Sequence, residues 1–375
     1  MSAPIVPPAT IGMLGGGQLG RYALMAARTM GYRTMVLEPD PLAPAGLIAD
    51  THLIAAYDDA AALRRLGDEC EVVTTEFENP PAAALESLAR RTWVAPSARA
   101  VAIAQDRIAE KRFLVDNGLP VGPYAVITNA EDNPDIGYPA ILKSARLGYD
   151  GKGQRLVADG SEMRAAWRTL GSVPCVLERA LSFEAELSVV VARSSRGGFA
   201  AYPVVENRHV DGILDLSIVP AHVSKRLSDR AVGLAMAITD GLGYVGVLAI
   251  EFFVVDGELL INEMAPRPHN SGHWTLDVAQ TDQFEQQIRA ICGLGLGDTS
   301  MTQPAAAMAN LLGDLWDDHD PDWAAALDDP HSALHLYGKV TPRAGRKMGH
   351  LTSWGESPEQ AEVRVLEARA ALRRG

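Results

Sequence analysis

The stretch VGVLAIEFFVVDGELLINEM at residues 245–264 decides the fold, because it predicts two apolar strands joined by a tight turn. Asp256-Gly257 is a dipeptide that closes two-residue hairpins. Polar residues interrupt the apolar strands at Glu251 on one side and at Asn262-Glu263 on the other. Buried carboxylates are costly unless they are paired or bind a metal ion. Two carboxylates with an amide oxygen suit Mg²⁺, so we expect a metal site on this hairpin.

The register of the hairpin decides whether the two carboxylates meet. A strict two-residue turn pairs Glu251 with Asn262 and sends Glu263 to the other face of the sheet. A three-residue loop, or a bulge in one strand, pairs Glu251 with Glu263 instead. The metal site therefore predicts either the longer loop or a bulge.

A glycine-rich segment lies upstream of the hairpin, between two predicted strands. It reads GYDGKGQ from Gly148 to Gln154 and follows Lys143. Glycines at this density let backbone amides close on phosphate oxygens, and Lys143 and Lys152 add positive charge. No helix-opening G-K-[ST] follows, so the segment is not a Walker A loop. The alternative is an ordinary hairpin turn.

Directly after the hairpin, the run APRPHNSGHW at residues 265–274 concentrates polar side chains at a strand end. Arg267 could bind an oxyanion, and histidine or asparagine side chains could orient one. In isolation these residues are ordinary polar groups of a loop. Their position beside two carboxylates indicates that they face a reacting group.

The N-terminal region predicts a βαβ unit. An apolar strand at residues 11–14 precedes Gly15-x-Gly17-x-x-Gly20, a helix at 21–30 and a strand at 34–38 that ends on Glu38. This pattern alone indicates a dinucleotide site, and the alternative is a Rossmann-like unit that binds something else. A further strand at 71–75 ends in the polar sequence EFEN.

The rest of the chain alternates short strands with few long helices. Strands are predicted at residues 140–143, 154–157, 176–178, 186–192, 200–205 and 333–337, and helices at 106–117 and 228–241. These 375 residues have enough length for two or three domains of mixed α/β structure.

Charge and cysteine content restrict the partners. The net charge of −13 would repel a nucleic-acid backbone, whereas the basic cluster Lys339, Arg343, Arg346 and Lys347 could hold one small phosphate ester. The three cysteines are scattered, which fits a reducing cytosol. No signal peptide or transmembrane segment is predicted, so we expect a cytoplasmic protein.

The chain resembles the N5-carboxyaminoimidazole ribonucleotide synthetases, a family of ATP-grasp ligases. The resemblance rests on five motifs: GGGQLGR at 15–21, EFEN at 76–79, GYDGKGQ at 148–154, LINEMAPRPHNSGHWT at 260–275 and RAGRKMGH at 343–350. It implies an ATP-grasp fold of class α/β, with a Rossmann-like pre-ATP-grasp domain at residues 1–104. An ATP-grasp domain at 105–300 would include a lid at about 138–205, and a C-terminal domain at 301–375 would complete the ribonucleotide site.

The resemblance also implies a reaction. ATP, bicarbonate and 5-aminoimidazole ribonucleotide would give N5-carboxyaminoimidazole ribonucleotide, ADP and phosphate through carboxyphosphate, in purine biosynthesis. The implied metal ion is Mg²⁺ or Mn²⁺, the implied assembly is a homodimer, and a separate mutase would take the product. A closing glycine loop would protect carboxyphosphate from water.

Site residues follow from the motif positions. The implied ATP contacts are Arg107, Lys143, Gly148, Tyr149, Asp150, Gly151, Lys152, Gly153, Gln154, Glu178, Arg179, Ala180, Leu181, Glu186, His209, Asn262 and Glu263, of which Glu178 to Leu181 form the adenine hinge. The implied metal ligands are Glu251 and Glu263. The implied ribonucleotide contacts are Gln18, Glu76, Tyr149, Asp150, Lys339, Arg346 and Lys347. Arg267, Asn270 and His273 would face bicarbonate or carboxyphosphate.

Two positions depart from the family pattern: Leu147 replaces a glycine of the loop, and Ala344 replaces a proline of the basic motif. Three other functions stay open from the residues. A nicotinamide-dependent oxidoreductase would leave the Gly148 loop and the hairpin unexplained, and a noncatalytic nucleotide-binding module would leave residues 267–273 unexplained. A formate-dependent glycinamide ribonucleotide transformylase, also of the ATP-grasp type, is disfavoured by the C-terminal basic motif.

Overall fold

The N-terminal part of the chain is a five-stranded parallel sheet with helices on its faces. The computed structural model describes residues 3–132, 134–148, 152–317 and 320–373. The sheet has the order β3-β2-β1-β4-β5. Its strands are β1 (Thr10–Leu14), β2 (Arg33–Leu37), β3 (Thr51–Leu53), β4 (Val72–Thr75) and β5 (Trp93–Val94), and its helices are α1 (Gln18–Thr29), α2 (Ala60–Glu69), α3 (Ala82–Ala89) and α4 (Ala98–Ala104). The predicted βαβ unit is confirmed, and α1 starts three residues before the predicted Arg21 because Gly17 takes the extended cap position.

A small antiparallel sheet follows. Its elements are α5 (Arg107–Asp116), β6 (Tyr124–Ile127), β7 (Ala140–Ser144), β8 (Gln154–Val157), α6 (Gly160–Thr169) and β9 (Cys175–Arg179), with strand order β6-β9-β7-β8. Leu142, Leu177 and Met163 form its own buried core. Helix α6 was not predicted. Asp159 caps it by accepting hydrogen bonds from the backbone of Ser161 and Glu162.

The third sheet has nine strands and carries most of the site. Its strands are β10 (Ala185–Arg193), β11 (Phe199–Ala201), β12 (Val205–Val210), β13 (Ile213–Val219), β14 (Gly246–Val255), β15 (Glu258–Ala265), β16 (Ala305–Leu312), β17 (Ser332–Leu336) and β18 (Lys347–Gly355). The order is β15-β14-β10-β12-β13-β16-β18-β17, with β11 beside β10. Helices α7 (Lys225–Leu242), α8 (Thr275–Val278), α9 (Gln283–Ile291), α10 (Trp323–Ala326) and α11 (Pro358–Ala371) complete the fold.

Two features of this sheet differ from the sequence-based expectation. The single strand predicted at 200–205 is wrong: β11 ends at Ala201 and β12 begins at Val205, because Pro203 lies between them and has no N–H to donate to a ladder. β10 and β11 lie inside the predicted lid range of 138–205 but belong to the nine-stranded sheet, whereas the small sheet spans 124–179.

Packing joins the C-terminal segment to the rest. β16 pairs with β13, and β18 pairs with β16, so the C-terminal strands extend the same ladder that contains β14. On one face, α7 buries Leu234 and Ile238 in a cluster with Val189 and Ile250. Among the described residues, no helix is both long and apolar enough to cross a bilayer.

Candidate active site

A bulge in the hairpin brings the two predicted metal ligands together. Glu251 lies opposite Glu263, while Phe252 lies opposite Ile261, so Asn262 is the extra residue of β15. The turn itself has only two residues, Asp256 and Gly257, with φ values of 51° and 72°. The predicted bulge is therefore confirmed, and the alternative of a three-residue loop is wrong.

The electrostatics of this pair suit a bound cation. Burial, and after it the neighbouring Glu263 carboxylate, raise the pKa of Glu251 to about 7. Burial also opposes ionisation of Glu263, but Arg107, Lys143 and Lys111 together outweigh burial and lower the pKa of Glu263 to about 2. The Oδ1 atom of Asn262 is buried and has no hydrogen-bond partner among the described residues. An orphaned amide oxygen beside two repelling carboxylates is a donor set that fits a divalent cation.

Three cationic side chains lie near this carboxylate pair, two of them on α5 and one on β7 of the small sheet. Arg107 is the first residue of α5, which Asp106 caps, and its Nη1 lies 2.7 Å from Glu263 Oε2. Lys111, one turn further along α5, donates from Nζ to the carbonyl oxygen of Asn262 at 2.9 Å. Lys143 on β7 lies 2.7 Å from Glu178 Oε2. These positive charges converge where a polyphosphate would bind the metal ion.

The side chain of Glu178, in the predicted adenine hinge, is held by two lysines. Its Oε1 lies 3.4 Å from Lys111 Nζ, and its other oxygen binds Lys143. Burial opposes ionisation of Glu178, but Lys143 and Lys111 outweigh burial and lower the pKa to about 2. Arg179 ends β9, and the N–H of Ala180 donates to the carbonyl oxygen of Pro139 at 2.9 Å.

The remaining predicted ATP contacts lie on both sides of this hinge. Glu186 on β10 forms an ion pair with His209 on β12. Phe183 stacks on Phe253 with ring centroids 4.8 Å apart, which gives an apolar surface between the hinge and β14. Gln154 is the first residue of β8. The carbonyl oxygen of Gly153 accepts a hydrogen bond from the backbone N–H of Ser144 at 2.8 Å. Three predicted contacts, Tyr149, Asp150 and Gly151, lie outside the described residues. Gly148 and Lys152 lie on either side of that gap.

The strand-end run places His269 beside Glu251 and Arg267 beside Glu78. Arg267 forms an ion pair with Glu78, from the EFEN sequence after β4, and also donates to the carbonyl oxygen of Pro268 at 3.0 Å. His269 Nε2 lies 3.5 Å from Glu251 Oε1. The half-buried His269 therefore contacts the predicted metal site.

Asn270 and His273 lie deeper. Asn270 exchanges two amide hydrogen bonds with Asn310 on β16, at 3.0 and 2.7 Å. His273 is fully buried, and its ring is surrounded by those of Tyr22, Tyr337 and His350. The predicted contacts of both residues with bicarbonate stay predictions.

The glycine turn of the N-terminal sheet holds two of the protein's own carboxylates. The N–H of Gly16 donates to Glu38 Oε2 at 2.8 Å. The N–H groups of Gly17 and Gly20 donate to the two oxygens of Glu76 at 2.9 and 3.2 Å. These are the amides that the phosphates of a dinucleotide would need. The turn therefore positions Glu76, beside Gln18 at the start of α1, rather than a cofactor.

The basic cluster lies along the start of β18. Lys339 Nζ donates to the carbonyl oxygen of Lys347 at 2.6 Å and lies 5.4 Å from the centre of the Tyr337 ring. Arg346 donates to the carbonyl oxygen of Thr341 at 2.7 Å. The charge of Lys347 lowers the pKa of Glu251, although burial is the larger effect there and raises it. Lys347 is therefore the member of the cluster whose charge reaches Glu251.

A second group of ligand-type side chains is not arranged for a metal ion. Asp277, His335 and His350 each offer an atom within 4.8 Å of the others. The rings of His335 and His350 stack with centroids 4.6 Å apart and planes at 15°, so their lone pairs run side by side instead of converging. His335 Nε2 is instead hydrogen-bonded to Asp277 at 2.9 Å. We interpret the group as a hydrogen-bonded structural cluster.

Three residues of the site were missed in the sequence. Lys111 and the buried Glu110 lie inside a helix whose alternating charges resemble a solvated face, and only the spacing of Lys111 four residues after Arg107 indicated a shared inward face. Glu78 belongs to the EFEN motif, but a sequence does not show that it faces Arg267. His269 lies in the predicted strand-end run, and its contact with Glu251 distinguishes it from the other polar residues of that run.

Comparison with known families covers nearly the whole chain. Residues 8–105 match the ribonucleotide synthetase pre-ATP-grasp domain, residues 112–284 match the ATP-grasp domain, and residues 306–364 match the phosphoribosylaminoimidazole carboxylase C-terminal domain. The N5-carboxyaminoimidazole ribonucleotide synthase of Bacillus subtilis is 42% identical over 371 residues, 96% of this chain and 95% of the relative. That of Brucella melitensis is 44% identical over 353 residues, 92% of this chain and 96% of the relative.

Solved structures agree with these matches. An N5-carboxyaminoimidazole ribonucleotide synthetase in complex with ADP has a TM-score of 0.92 and 39% identity, covering 98% of each chain. An Aspergillus clavatus N5-carboxyaminoimidazole synthase in complex with ADP and 5-aminoimidazole ribonucleotide has a TM-score of 0.87 and 30% identity, covering 98% of this chain and 99% of the other.

Proposed function

This chain belongs to the N5-carboxyaminoimidazole ribonucleotide synthases, ATP-grasp enzymes of purine biosynthesis, and from that premise we propose which of its residues serve each part of the reaction. The observation that carries the proposal is the bulged register that sets Glu251 opposite Glu263, with the orphaned Asn262 oxygen beside them. It supports a divalent cation at the point where the strand-end run and the cationic side chains meet.

The nucleotide half of the site would hold Mg·ATP. Glu251 and Glu263 would bind Mg²⁺ or Mn²⁺, with Asn262 as a further oxygen ligand. The ion would neutralise charge on the triphosphate. Arg107 and Lys143 would contact the phosphates, and their present partners Glu263 and Glu178 hold them in that position. The predicted contacts at Gly148 to Gln154 fit the same role.

The adenosine half would lie on the other side of the hinge. Glu178 to Leu181 would supply backbone groups to adenine, and Glu186 with His209 would face the ribose. The stacked rings of Phe183 and Phe253 support a flat apolar ligand beside this segment.

The chemical step would take place beside Glu251. A bicarbonate oxygen attacks the γ-phosphorus of ATP and releases ADP, which gives carboxyphosphate. The amine of 5-aminoimidazole ribonucleotide then forms a bond to the carboxyl carbon as phosphate leaves, and the amine loses a proton. Arg267 would bind the anion by its guanidinium, with Asn270, His273 and also His269 as its neighbours.

The ribonucleotide would lie between the N-terminal sheet and the basic cluster. Glu76 and Gln18 would contact the aminoimidazole and ribose, and Lys339, Arg346 and Lys347 would bind the 5′-phosphate, with Tyr149 and Asp150 from the glycine loop. A homodimer and transfer of the product to a separate mutase rest on the family resemblance alone and stay predictions. The cytoplasmic location, expected from the scattered cysteines and from the lack of a predicted signal peptide, also stays a prediction.

An assay of ADP release with each substrate omitted in turn tests the proposal. Full turnover should require ATP, bicarbonate, 5-aminoimidazole ribonucleotide and a divalent cation together. Turnover that persists when bicarbonate is replaced by formate, or reduction of NAD⁺, would contradict it.

A further inference from the structure

A chain of buried polar side chains ends on His269. Ser217 on β13 donates from its hydroxyl to Asn207 Oδ1 at 2.8 Å, and Asn207 on β12 donates from Nδ2 to Ser188 Oγ on β10 at 2.9 Å. Ser188 donates to Ser271 Oγ at 2.8 Å, and Ser271 Oγ lies 2.9 Å from His269 Nδ1. The first four members are at most 4% exposed. Polar groups buried to this degree must satisfy one another.

The chain has a fixed direction. Ser271 Oγ accepts the hydrogen of Ser188, so its own hydrogen is available for the ring nitrogen of His269. The backbone N–H of Ser271 also points at the same nitrogen, at 3.3 Å, and a backbone amide can only donate. Both observations make Nδ1 an acceptor. The ring proton of neutral His269 then lies on Nε2, which faces Glu251 Oε1.

Position in the sheet connects this chain to the site. Ser188 lies directly opposite Glu251 in the β10/β14 ladder, so the two side chains share one face. Asn207 lies opposite Ser217 in the β12/β13 ladder. The chain of buried polar side chains therefore crosses β13, β12 and β10 on the face that carries Glu251, and it ends at His269.

We propose that Ser271, Ser188 and Asn207 are positioning residues that lock His269 in the tautomer with its proton on Nε2, aimed at the reacting anion beside Glu251. The inference rests on the proposed function, because it assigns these residues to the step in which bicarbonate is phosphorylated and captured. They act through His269 and contact no substrate themselves. A histidine held in one tautomer donates from a fixed point, which an unconstrained ring does not.

Two matched deletions of a buried hydroxyl test the proposal. Ser271→Ala removes the donor to His269, and Ser217→Ala removes the hydroxyl at the opposite end of the chain. Ser271→Ala should lower kcat about tenfold while the KM for ATP changes less than about twofold. Ser217→Ala should keep kcat near that of the unaltered enzyme. Equal kcat values for the two variants would overturn the proposal.

A third variant, at a residue that does not contact His269, tests the direction of the hydrogen bonds in the chain. Asn207→Asp has nearly the same shape, but at pH 8 its carboxylate can only accept hydrogen bonds. Ser188 would then donate to residue 207 and Ser271 would donate to Ser188, which leaves no hydroxyl hydrogen for His269. This variant should reproduce the loss of kcat seen with Ser271→Ala although Ser271 is intact. Unaltered kcat in this variant would contradict a directional chain.

Nitrogen-15 spectra of protein labelled at its nine histidines give a readout that does not depend on activity. The His269 signals, assigned by their loss in His269→Gln, should show a protonated Nε2 and a hydrogen-bonded, unprotonated Nδ1. In Ser271→Ala and Asn207→Asp the two signals should move towards each other as the tautomers mix. A protonated Nδ1 in the unaltered protein would overturn the inference even if the proposed reaction is correct, and a correct tautomer with no bicarbonate-dependent turnover would overturn the proposed function instead.

Discussion

Glu251 faces Glu263 across the β14/β15 hairpin because β15 contains one more residue than its partner over this stretch. The two-residue turn alone would have placed Asn262 in that position and moved Glu263 to the opposite face. The bulge therefore places both carboxylates opposite each other in the ladder, with Asn262 as the inserted residue next to Glu263.

Glu263→Gln should lower turnover with Mg·ATP at least about hundredfold, because the metal ion loses one of its two carboxylates. The amide oxygen can still accept from Arg107, so circular dichroism should show an intact fold. Glu258→Gln, on the same hairpin but with a side chain 68% exposed, is the control and should be active. Near-normal turnover in Glu263→Gln would remove this residue from the metal site.

Glu76→Gln should raise the KM for 5-aminoimidazole ribonucleotide about tenfold and leave the KM for ATP unchanged, because one charged acceptor of the glycine-turn amides is lost. Steady-state kinetics with each substrate varied separately measure this. The control is Glu71→Gln, an exposed glutamate at the other end of β4. Parallel increases in both KM values would indicate a general loss of structure instead.

Leu147→Asn should stabilise the protein by about 1 kcal/mol, because Leu147 has a φ of 63°, in the left-handed region that asparagine tolerates better. Its side chain is 72% exposed, so little apolar burial is lost. Scanning calorimetry gives the melting temperature. Leu156→Asn, 69% exposed but on a strand, should have no stabilising effect, and a lower melting temperature for Leu147→Asn than for the unaltered protein would contradict the prediction.

Stability should fall as the pH is lowered below about 6.5. Burial, and then neighbouring positive charges, lower the pKa of His273 and His350 well below 6.5, so the unfolded chain takes up these protons first. Above pH 6.5, each histidine makes its full contribution to the free energy of unfolding. Below that pH, each of the two histidines lowers the free energy of unfolding by about 1.4 kcal/mol per pH unit until its folded pKa is reached.

Urea denaturation between pH 7.5 and 5.5 measures this slope. His350→Gln should be less stable at pH 7.5, yet lose less stability on acidification because one of the two groups is gone. A slope identical to that of the unaltered protein would show that His350 is not the titrating group.

Local patterns were sufficient for much of the fold. Continuous apolar runs and the turn dipeptide at Asp256 predicted both strands of the hairpin. The need to join two carboxylates predicted either a longer loop or a bulge, and the bulge is the one observed. The break at Pro203 was missed although proline has a known effect on ladders. The order of strands in the large sheet was not predictable, because pairing between β13 and β16 joins residues about ninety positions apart and leaves no periodic signal.

Site residues were predictable where a motif contained them and obscure where only tertiary contact defines them. Lys111 is 2% exposed and binds the carbonyl oxygen of Asn262, yet in the sequence it is one lysine on a charged helix. For the glycine turn, the motif was recognised but what its amides bind was left open. Its spacing indicated a cofactor, because a sequence cannot show that Glu38 and Glu76 return from elsewhere to occupy the amides.

The amide pair between Asn270 and Asn310 joins two segments that the strand ladder itself keeps apart. β15 and β16 are five steps apart in the sheet, yet the strand-end run that follows β15 returns to β16 through these two hydrogen bonds. Both side chains are buried, so replacing either asparagine would remove both hydrogen bonds of the pair. The position of the strand-end run is thereby coupled to the C-terminal strands, and a substitution at Asn310 should displace that run although β16 contributes none of its residues.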